Sequence, residues 1–222
     1  MIDDIKKIGR LMFEEKLVTG GVGSFSFRQG DEIFTTKKGA LLGHLLDQDI
    51  EKVGIEATDA WPELKVHLAI YKASKVQAII HAYSPYANLM SFSEDKLLPL
   101  DAEGKQGLRT IAVLKARDPL NSDEMVKMLP TLLGGNYVAA LVRGNGSFAV
   151  GQDLMEAYLR ISQTEASCQL LALSKKPAPP PAAHQTGRSQ YDRRTGGSSS
   201  GMRGPAIPPG IGVMDRSRYH KR

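Results

Sequence analysis

The sequence contains a single cysteine, Cys168, among its 222 residues. One cysteine excludes an intramolecular disulfide framework and a zinc site built from several thiolates, and it is typical of a reducing compartment. The sequence also lacks a run of about 18 apolar residues, so we expect no membrane span. Its amphipathic N-terminus lacks the apolar stretch of a secretory signal. Together these absences favour a cytoplasmic protein.

Most of the chain has no excess of positive charge, although the net charge of the whole is +5. Residues 175–222 hold ten basic and two acidic residues and carry +8, which leaves −3 on residues 1–174. The same 48 residues contain 7 of the 12 prolines and few branched aliphatic side chains. So little apolar area cannot offset a backbone ordering cost of about 1–2 kcal/mol per residue. We therefore predict one domain over residues 1–174 and a disordered basic C-terminal tail over residues 175–222.

Two interpretations of this tail stay open. It is either a solvated low-complexity segment or an arm that contacts an anionic partner, such as nucleic acid, lipid head groups or an acidic protein. No aromatic residues are interleaved with the basic ones to favour RNA binding.

Periodicity within residues 1–174 predicts alternating short strands and helices. Isoleucines and leucines at helical spacing indicate a first helix over residues 3–16. A turn at residues 29–31 joins strands 24–28 and 32–36 into a hairpin, and Pro62 suits the first turn of the next helix. Further strands are predicted at 76–83, 110–114, 137–143 and 147–150, and further helices at 85–90, from 122 and over 152–174. This pattern indicates a mixed α/β domain with a mainly antiparallel sheet.

Three motifs, in order, resemble the class II aldolase/adducin family. Residues 23–28 (GSFSFR) and 34–39 (FTTKKG) are similar to its GN-x-S-x-R strand and T-P-S-G turn. Residues 63–71 (ELKVHLAIY) and 78–84 (AIIHAYS) are similar to its E-x-x-x-H-x-x-x-Y helix and V-V-H-x-H strand. Residues 142–151 (VRGNGSFAVG) are similar to its H-G-x-x-x-x-G turn. The resemblance implies a three-layer α/β/α domain with a mainly antiparallel central sheet, assembled as a homotetramer with clefts at subunit interfaces.

The resemblance also implies a zinc ion held by three histidines, which polarises a carbonyl and stabilises an enediolate. In the family a glutamate at the helix position transfers the proton or occupies the empty metal site, and Glu63 stands at that position. His81 matches the first histidine, whereas Tyr83 and Asn145 stand where the other two belong. A phenol with a pKa of about 10 and a neutral amide are poor zinc ligands. We therefore expect no cofactor, or at most a weakly held divalent metal, zinc if any.

Two interpretations of the cleft follow. In the favoured one the metal site is degraded, and the protein is a non-catalytic or atypical small-molecule-binding or assembly module. In the other, Glu63 and Tyr83 are catalytic groups beside His81, with His67 as a further candidate. The protein is then a carbon–carbon (aldehyde) lyase or epimerase acting on a phosphorylated sugar. A third hypothesis makes the domain an oligomeric platform for nucleic-acid binding by the tail.

The resemblance also implies a binding site for the phosphate of a small molecule. In phosphosugar-cleaving members, the glycine-rich strand and the following turn donate backbone and hydroxyl groups to that phosphate. The matching residues are Gly23, Ser24, Thr36, Lys37, Lys38 and Gly39.

Two further motif positions have simpler explanations. His67 shares a helix face with Glu63 at i+4, a spacing that is more often structural than metal-binding. Glu165 lies on the apolar face of the last helix, where we expect a hydrogen bond or ion pair that fixes the helix against the sheet.

Overall fold

A computed structural model of the protein describes residues 2–120 and 122–174. The predicted tail at 175–222 lies outside the described residues. The helices are α1 (Ile2–Glu14), α2 (Pro62–Ala73), α3 (Pro85–Met90), α4 (Ala102–Gly107), α5 (Ser122–Leu133) and α6 (Leu154–Ser174). The strands are β1 (Ser24–Gln29), β2 (Glu32–Thr36), β3 (Ile50–Gly54), β4 (Ala78–Ala82), β5 (Lys96–Leu97), β6 (Ile111–Leu114), β7 (Ala139–Val142) and β8 (Ser147–Gly151).

The eight described strands form one sheet in the order β3-β2-β1-β4-β8-β7-β6-β5. Every neighbouring pair is antiparallel except β6 and β7, which run parallel. The predicted mainly antiparallel sheet is therefore confirmed. The central strands β4, β7 and β8 are buried along their whole length.

Helices cover both faces of the sheet, so the domain has the predicted three layers. On one face α1, α3, α4 and α6 enclose a core that includes Ile5, Phe25 and Ile161. On the other face α2 and α5 pack together over a second core that includes Leu64, Leu129 and Phe148. The candidate site lies on this second face.

Alternation along β1 divides its side chains between the two cores. Phe25 and Phe27 pack into the core beneath α1 and α6. Ser24 and Ser26, one residue out of phase, face the opposite side. A serine pair on a buried strand face needs hydrogen-bonding partners, and α2 supplies them.

Most predicted elements are present, and three were missed. The hairpins β1–β2 and β7–β8 occur where the turns predicted them. The short edge strands β3 and β5 and the six-residue helix α4 had no periodic apolar pattern long enough to reveal them. No helix among residues 2–120 and 122–174 is long and apolar enough to cross a membrane.

Candidate functional site

The site is built on a row of side chains that crosses three adjacent strands. Ser24 on β1 pairs with His81 on β4, and His81 pairs with Phe148 on β8. The rings of His81 and Phe148 stack with centroids 4.2 Å apart. This stacking fixes the plane of the imidazole ring.

Helix α2 places a carboxylate above this row. Pro62 occupies the first turn, where its missing N–H costs nothing. Glu63 follows it, and a carboxylate in a first turn is favoured by the positive end of the helix dipole. The Glu63 side chain is 23% exposed, whereas that of His81 is 2% exposed. Glu63 therefore lies between the buried row and solvent.

Both ring nitrogens of His81 contact hydrogen-bond acceptors. Nδ1 lies 2.7 Å from Oε1 of Glu63, and Nε2 lies 2.7 Å from the backbone oxygen of Asn145. Burial alone would lower the pKa of His81, but the charge and hydrogen bond of Glu63 raise it above 6.5, and the Asn145 carbonyl adds to this rise. The two contacts and the direction of this pKa shift favour the form of His81 that donates from both nitrogens.

Glu63 is the matching anion. Burial alone would raise its pKa, but the charge and hydrogen bond of His81 outweigh burial and lower the pKa to about 2. The Ser24 hydroxyl also donates to Oε1 of Glu63. Both described hydrogen bonds therefore end on one carboxylate oxygen.

His67 lies behind Glu63 and is 1% exposed. Its Nδ1 is 2.8 Å from Oγ of Ser26, and its Nε2 is 3.4 Å from Oγ of Ser24. Burial lowers its pKa to about 4 against the opposing charge of Glu63. His67 is therefore neutral near pH 7.

A cleft of about 250 Å³ opens in front of Glu63 and His81. Lys38 contributes a positive charge to it, and Gly23 and Gly39 contribute backbone. Its walls also include Val22, Trp61, Val66, Pro119, Leu120, Met125 and Phe148. Apolar walls around a few polar groups are typical of small-molecule sites.

The structure brings only part of the predicted ligand-binding set into this cleft. Gly23, Lys38 and Gly39 line it. Ser24 and Thr36 are each 1% exposed and lie behind the lining, where the Thr36 hydroxyl contacts the backbone of Phe25. Lys37 is exposed outside the lining. A ligand contact by Ser24, Thr36 or Lys37 therefore stays a prediction.

The structure does not bring Tyr83 to Glu63 as the catalytic interpretation needs. Tyr83 is half-buried and lines a separate depression with Phe13, Val18 and Pro85. The strand β4 ends at Ala82, so the alternation that aims His81 at α2 does not extend to Tyr83.

His81 is the one histidine that matches the family's zinc ligands, and its two nitrogens face Glu63 and Asn145. The side-chain amide of Asn145 donates to the Pro119 oxygen at 3.0 Å. No group of three His, Cys, Asp or Glu suited to a metal occurs within 2–120 and 122–174.

Sequence reasoning missed several residues of the site. Trp61, which immediately precedes α2, and Met125 on α5 line the cleft, and no motif drew attention to them. Ser26 and Tyr71 lie deeper. Both fall within motifs that match the family, but the resemblance implied no role for either side chain. The alternation Ser-Phe-Ser-Phe in β1 was the available signal, because it places two hydroxyls on one buried face.

The Glu165 carboxylate has hydrogen-bond partners, as the sequence predicts. Its two oxygens accept hydrogen bonds from the backbone N–H groups of Tyr86 and Ala87 at 2.8 and 2.7 Å. These donors lie in the first turn of α3, so Glu165 joins α6 to α3 rather than to the sheet.

Comparison with known proteins agrees with this architecture. The sequence profile of the family described as Class II Aldolase and Adducin N-terminal domain matches residues 3–172. An L-fuculose phosphate aldolase of Methanocaldococcus jannaschii is 27% identical over 173 residues, which cover 76% of this chain and 93% of the relative. A methylthioribulose-1-phosphate dehydratase of Gluconobacter oxydans is 26% identical, over 78% of this chain and 92% of the relative. The crystal structure of L-fuculose-1-phosphate aldolase from Thermus thermophilus superimposes with a TM-score of 0.72 and 29% identity, over 78% of this chain and 96% of that one.

Proposed function

The chain belongs to the class II aldolase and adducin family, and from this premise we propose that its cleft binds a small phosphorylated sugar without a tightly held divalent metal. The observation that carries the proposal is the pair of contacts from the two His81 nitrogens, to Glu63 and to the Asn145 carbonyl. A zinc ion at His81 would have to displace one of these acceptors and remove a proton from a buried ion pair. On this proposal the protein is a non-catalytic or atypical binding member of its family.

The class of ligand is supported by the relatives and by the cleft. The names of the aldolases and of the dehydratase specify sugar phosphates. In this chain Lys38, Gly23 and Gly39 line the cleft, and an ammonium group together with backbone N–H groups can recognise phosphate. Glu63, with its pKa of about 2, is an ionised acceptor for a sugar hydroxyl.

The test is calorimetric titration of L-fuculose 1-phosphate into the full chain in the presence of a chelator. We expect binding without added metal, and we expect Lys38→Ala to weaken it about fivefold, or about 1 kcal/mol, as for a partly exposed charged contact. Lys65→Ala is the matched control, because Lys65 is exposed on α2 outside the cleft lining. Binding that appears only after zinc is added would contradict the proposal.

A second candidate is an active lyase, epimerase or dehydratase of sugar phosphates. It is favoured by the similarity over more than nine-tenths of the length of relatives that are named as enzymes. Turnover of L-fuculose 1-phosphate or methylthioribulose 1-phosphate by the purified chain, abolished in Glu63→Gln, would establish it in place of a binding role.

We also propose that the protein is a cytoplasmic homo-oligomer, with the tetramer as the expected form. Leu159, Leu170 and Leu173 on α6 are 55%, 46% and 68% exposed, and a neighbouring subunit would cover such side chains. Light scattering coupled to gel filtration tests this, and a monomer at micromolar concentration would contradict it.

A further inference from the structure

Two rows of polar side chains interleave between α2 and β1. Glu63, His67 and Tyr71 follow each other at intervals of four residues on one face of the helix, a repeat of about 6 Å. Ser24 and Ser26 are two residues apart on the strand, a repeat of about 6.6 Å. Because the two repeats nearly match, each serine lies between two successive helix side chains.

The interleaved groups form a continuous chain of contacts. Tyr71 Oη lies 2.9 Å from Oγ of Ser26, and the same Oγ lies 2.8 Å from Nδ1 of His67. On the other side of the His67 ring, Nε2 is 3.4 Å from Oγ of Ser24, which is hydrogen-bonded to Oε1 of Glu63. The 3.4 Å contact is the longest of the four.

The contact at Glu63 sets which group donates in every other hydrogen bond of this series. Ser24 donates its one proton to Oε1 of Glu63. Nε2 of His67 then donates to Ser24, and the neutral ring leaves Nδ1 as an acceptor. Ser26 donates its proton to Nδ1 and accepts from the Tyr71 hydroxyl, and burial raises the pKa of Tyr71 so that it keeps this proton.

We propose that His67 is a positioning residue for the cleft: with Ser26 and Tyr71 it forms a one-directional hydrogen-bond relay through Ser24 that fixes the Glu63 carboxylate. The relay and His81 both bind Oε1 of Glu63. Because the carboxylate is planar and rigid, holding Oε1 also fixes the position of Oε2. The inference rests on the proposed function in taking this cleft as the ligand site.

Burial indicates that the relay does more than fill space. Ser24, Ser26, His67 and Tyr71 are each at most 1% exposed. Apolar residues of similar shape would fill the same interface without the cost of desolvating four polar side chains. The relay also ends on Glu63, a carboxylate that lines the cleft.

The test uses nitrogen-detected NMR of the histidine rings in the ¹⁵N-labelled full chain, in chelator at pH 7. We expect His67 to carry a proton on Nε2 alone and His81 to carry protons on both nitrogens, with signals assigned from His67→Gln and His81→Gln. Ser26→Ala removes a hydroxyl that does not touch His81. If the relay positions Glu63, this change shifts the Nδ1–H signal of His81.

Ser167→Ala is the matched control. Ser167 is also a fully buried serine, and its hydroxyl donates to Asp101 at 2.8 Å on the other face of the sheet. We expect the His81 shift in Ser26→Ala to be several times larger than in Ser167→Ala. Tyr71→Phe, which removes the hydroxyl at the far end of the relay, should shift the same signal in the same direction, and it decides the question if Ser26→Ala fails to fold.

Two results would overturn the relay. One is a His67 ring protonated on Nδ1 alone, and the other is a His81 signal that moves no further in Ser26→Ala and Tyr71→Phe than in the control. A wild-type His81 with an unprotonated, metal-bound nitrogen would instead contradict the proposed function. The response to Ser26→Ala would still report on the relay in that case, so the two failures are distinguishable.

Discussion

Nδ1 of His81 lies 2.7 Å from Oε1 of Glu63, while the other ring nitrogen faces the backbone oxygen of Asn145 at 2.7 Å. An imidazole that donates to both of these acceptors carries a positive charge, and Glu63 raises the pKa of His81 despite its burial, which favours this form. We expect this pair to govern how the domain responds to mutation and pH.

Removal of the Glu63 charge should destabilise the domain. In Glu63→Gln the buried His81 either stays charged without a counter-ion, or loses a proton and exchanges the ion pair for a neutral hydrogen bond from the glutamine amide to Nδ1. We expect a loss of about 3 kcal/mol in the free energy of unfolding, at the lower end for a broken buried pair because Glu63 is partly exposed. Urea unfolding followed by circular dichroism measures this loss.

Glu56→Gln is the control for that experiment. Glu56 pairs with Lys72 at 2.8 Å, but its side chain is 80% exposed. An exposed pair contributes about 0–1 kcal/mol. Equal losses in the two variants would mean that the Glu63–His81 pair is not held out of water.

The pH dependence of stability should show opposing effects of the two histidines. The pKa of His67 is lowered to about 4 from 6.5, so the unfolded chain binds more protons between these values and stability falls as pH falls through this window. The pKa of His81 is raised above 6.5, so its contribution is complete below 6.5 and is lost as pH rises through the raised value. Their combined contribution is therefore greatest near pH 6.5.

His67→Gln isolates the acid side of this profile. The shift of His67 corresponds to about 3 kcal/mol between pH 6.5 and 4. We expect the variant to lose much less stability than the wild-type protein over that range, measured as urea midpoints at half-unit pH steps. Parallel profiles for the two proteins would show that His67 is not buried in its neutral form.

The β7–β8 turn should tolerate a methyl group at one glycine and not at the other. Gly146 has φ of +79°, and a Cβ there would lie 2.1 Å from the Ala82 oxygen. Gly144 has φ of +74° but meets nothing closer than the Phe92 ring at 3.4 Å. We expect a loss of about 3 kcal/mol for Gly146→Ala, from left-handed strain and overpacking together.

Gly144→Ala should carry the left-handed strain alone, about 1 kcal/mol. Because the turn holds the Asn145 carbonyl against His81, Gly146→Ala should also shift the His81 Nε2–H signal more than Gly144→Ala does. Thermal unfolding and the imidazole NMR spectrum test both expectations. Equal effects of the two substitutions would mean that the turn relaxes without disturbing His81.

The sequence predicts the long elements and the mainly antiparallel sheet well, because periodic apolar residues mark them, whereas the three layers were implied by the family resemblance. It also predicts the proximity of Glu63 and His81 through the family motifs. It does not predict β3 or β5, since two-residue and five-residue edge strands bury too few side chains to leave a pattern.

The site was harder to predict than the fold, because its chemistry depends on which group each atom faces. The sequence does not reveal that Nε2 of His81 faces a backbone carbonyl. Asn145 supplies that carbonyl from its main chain, while its side-chain amide donates to the Pro119 oxygen. Likewise, Ser24 matches a substrate-binding position, but its burial and its bond to Glu63 place it behind the cleft.

Metal analysis of the purified full chain tests the central claim most directly. The protein should be expressed with zinc in the medium, dialysed against a chelator and measured by mass spectrometry, with the NMR spectrum of the His81 ring recorded on the same sample. We predict much less than one zinc ion per chain and an imidazole protonated on both nitrogens. Stoichiometric zinc retained through dialysis, with one His81 nitrogen bound to it, would contradict the account.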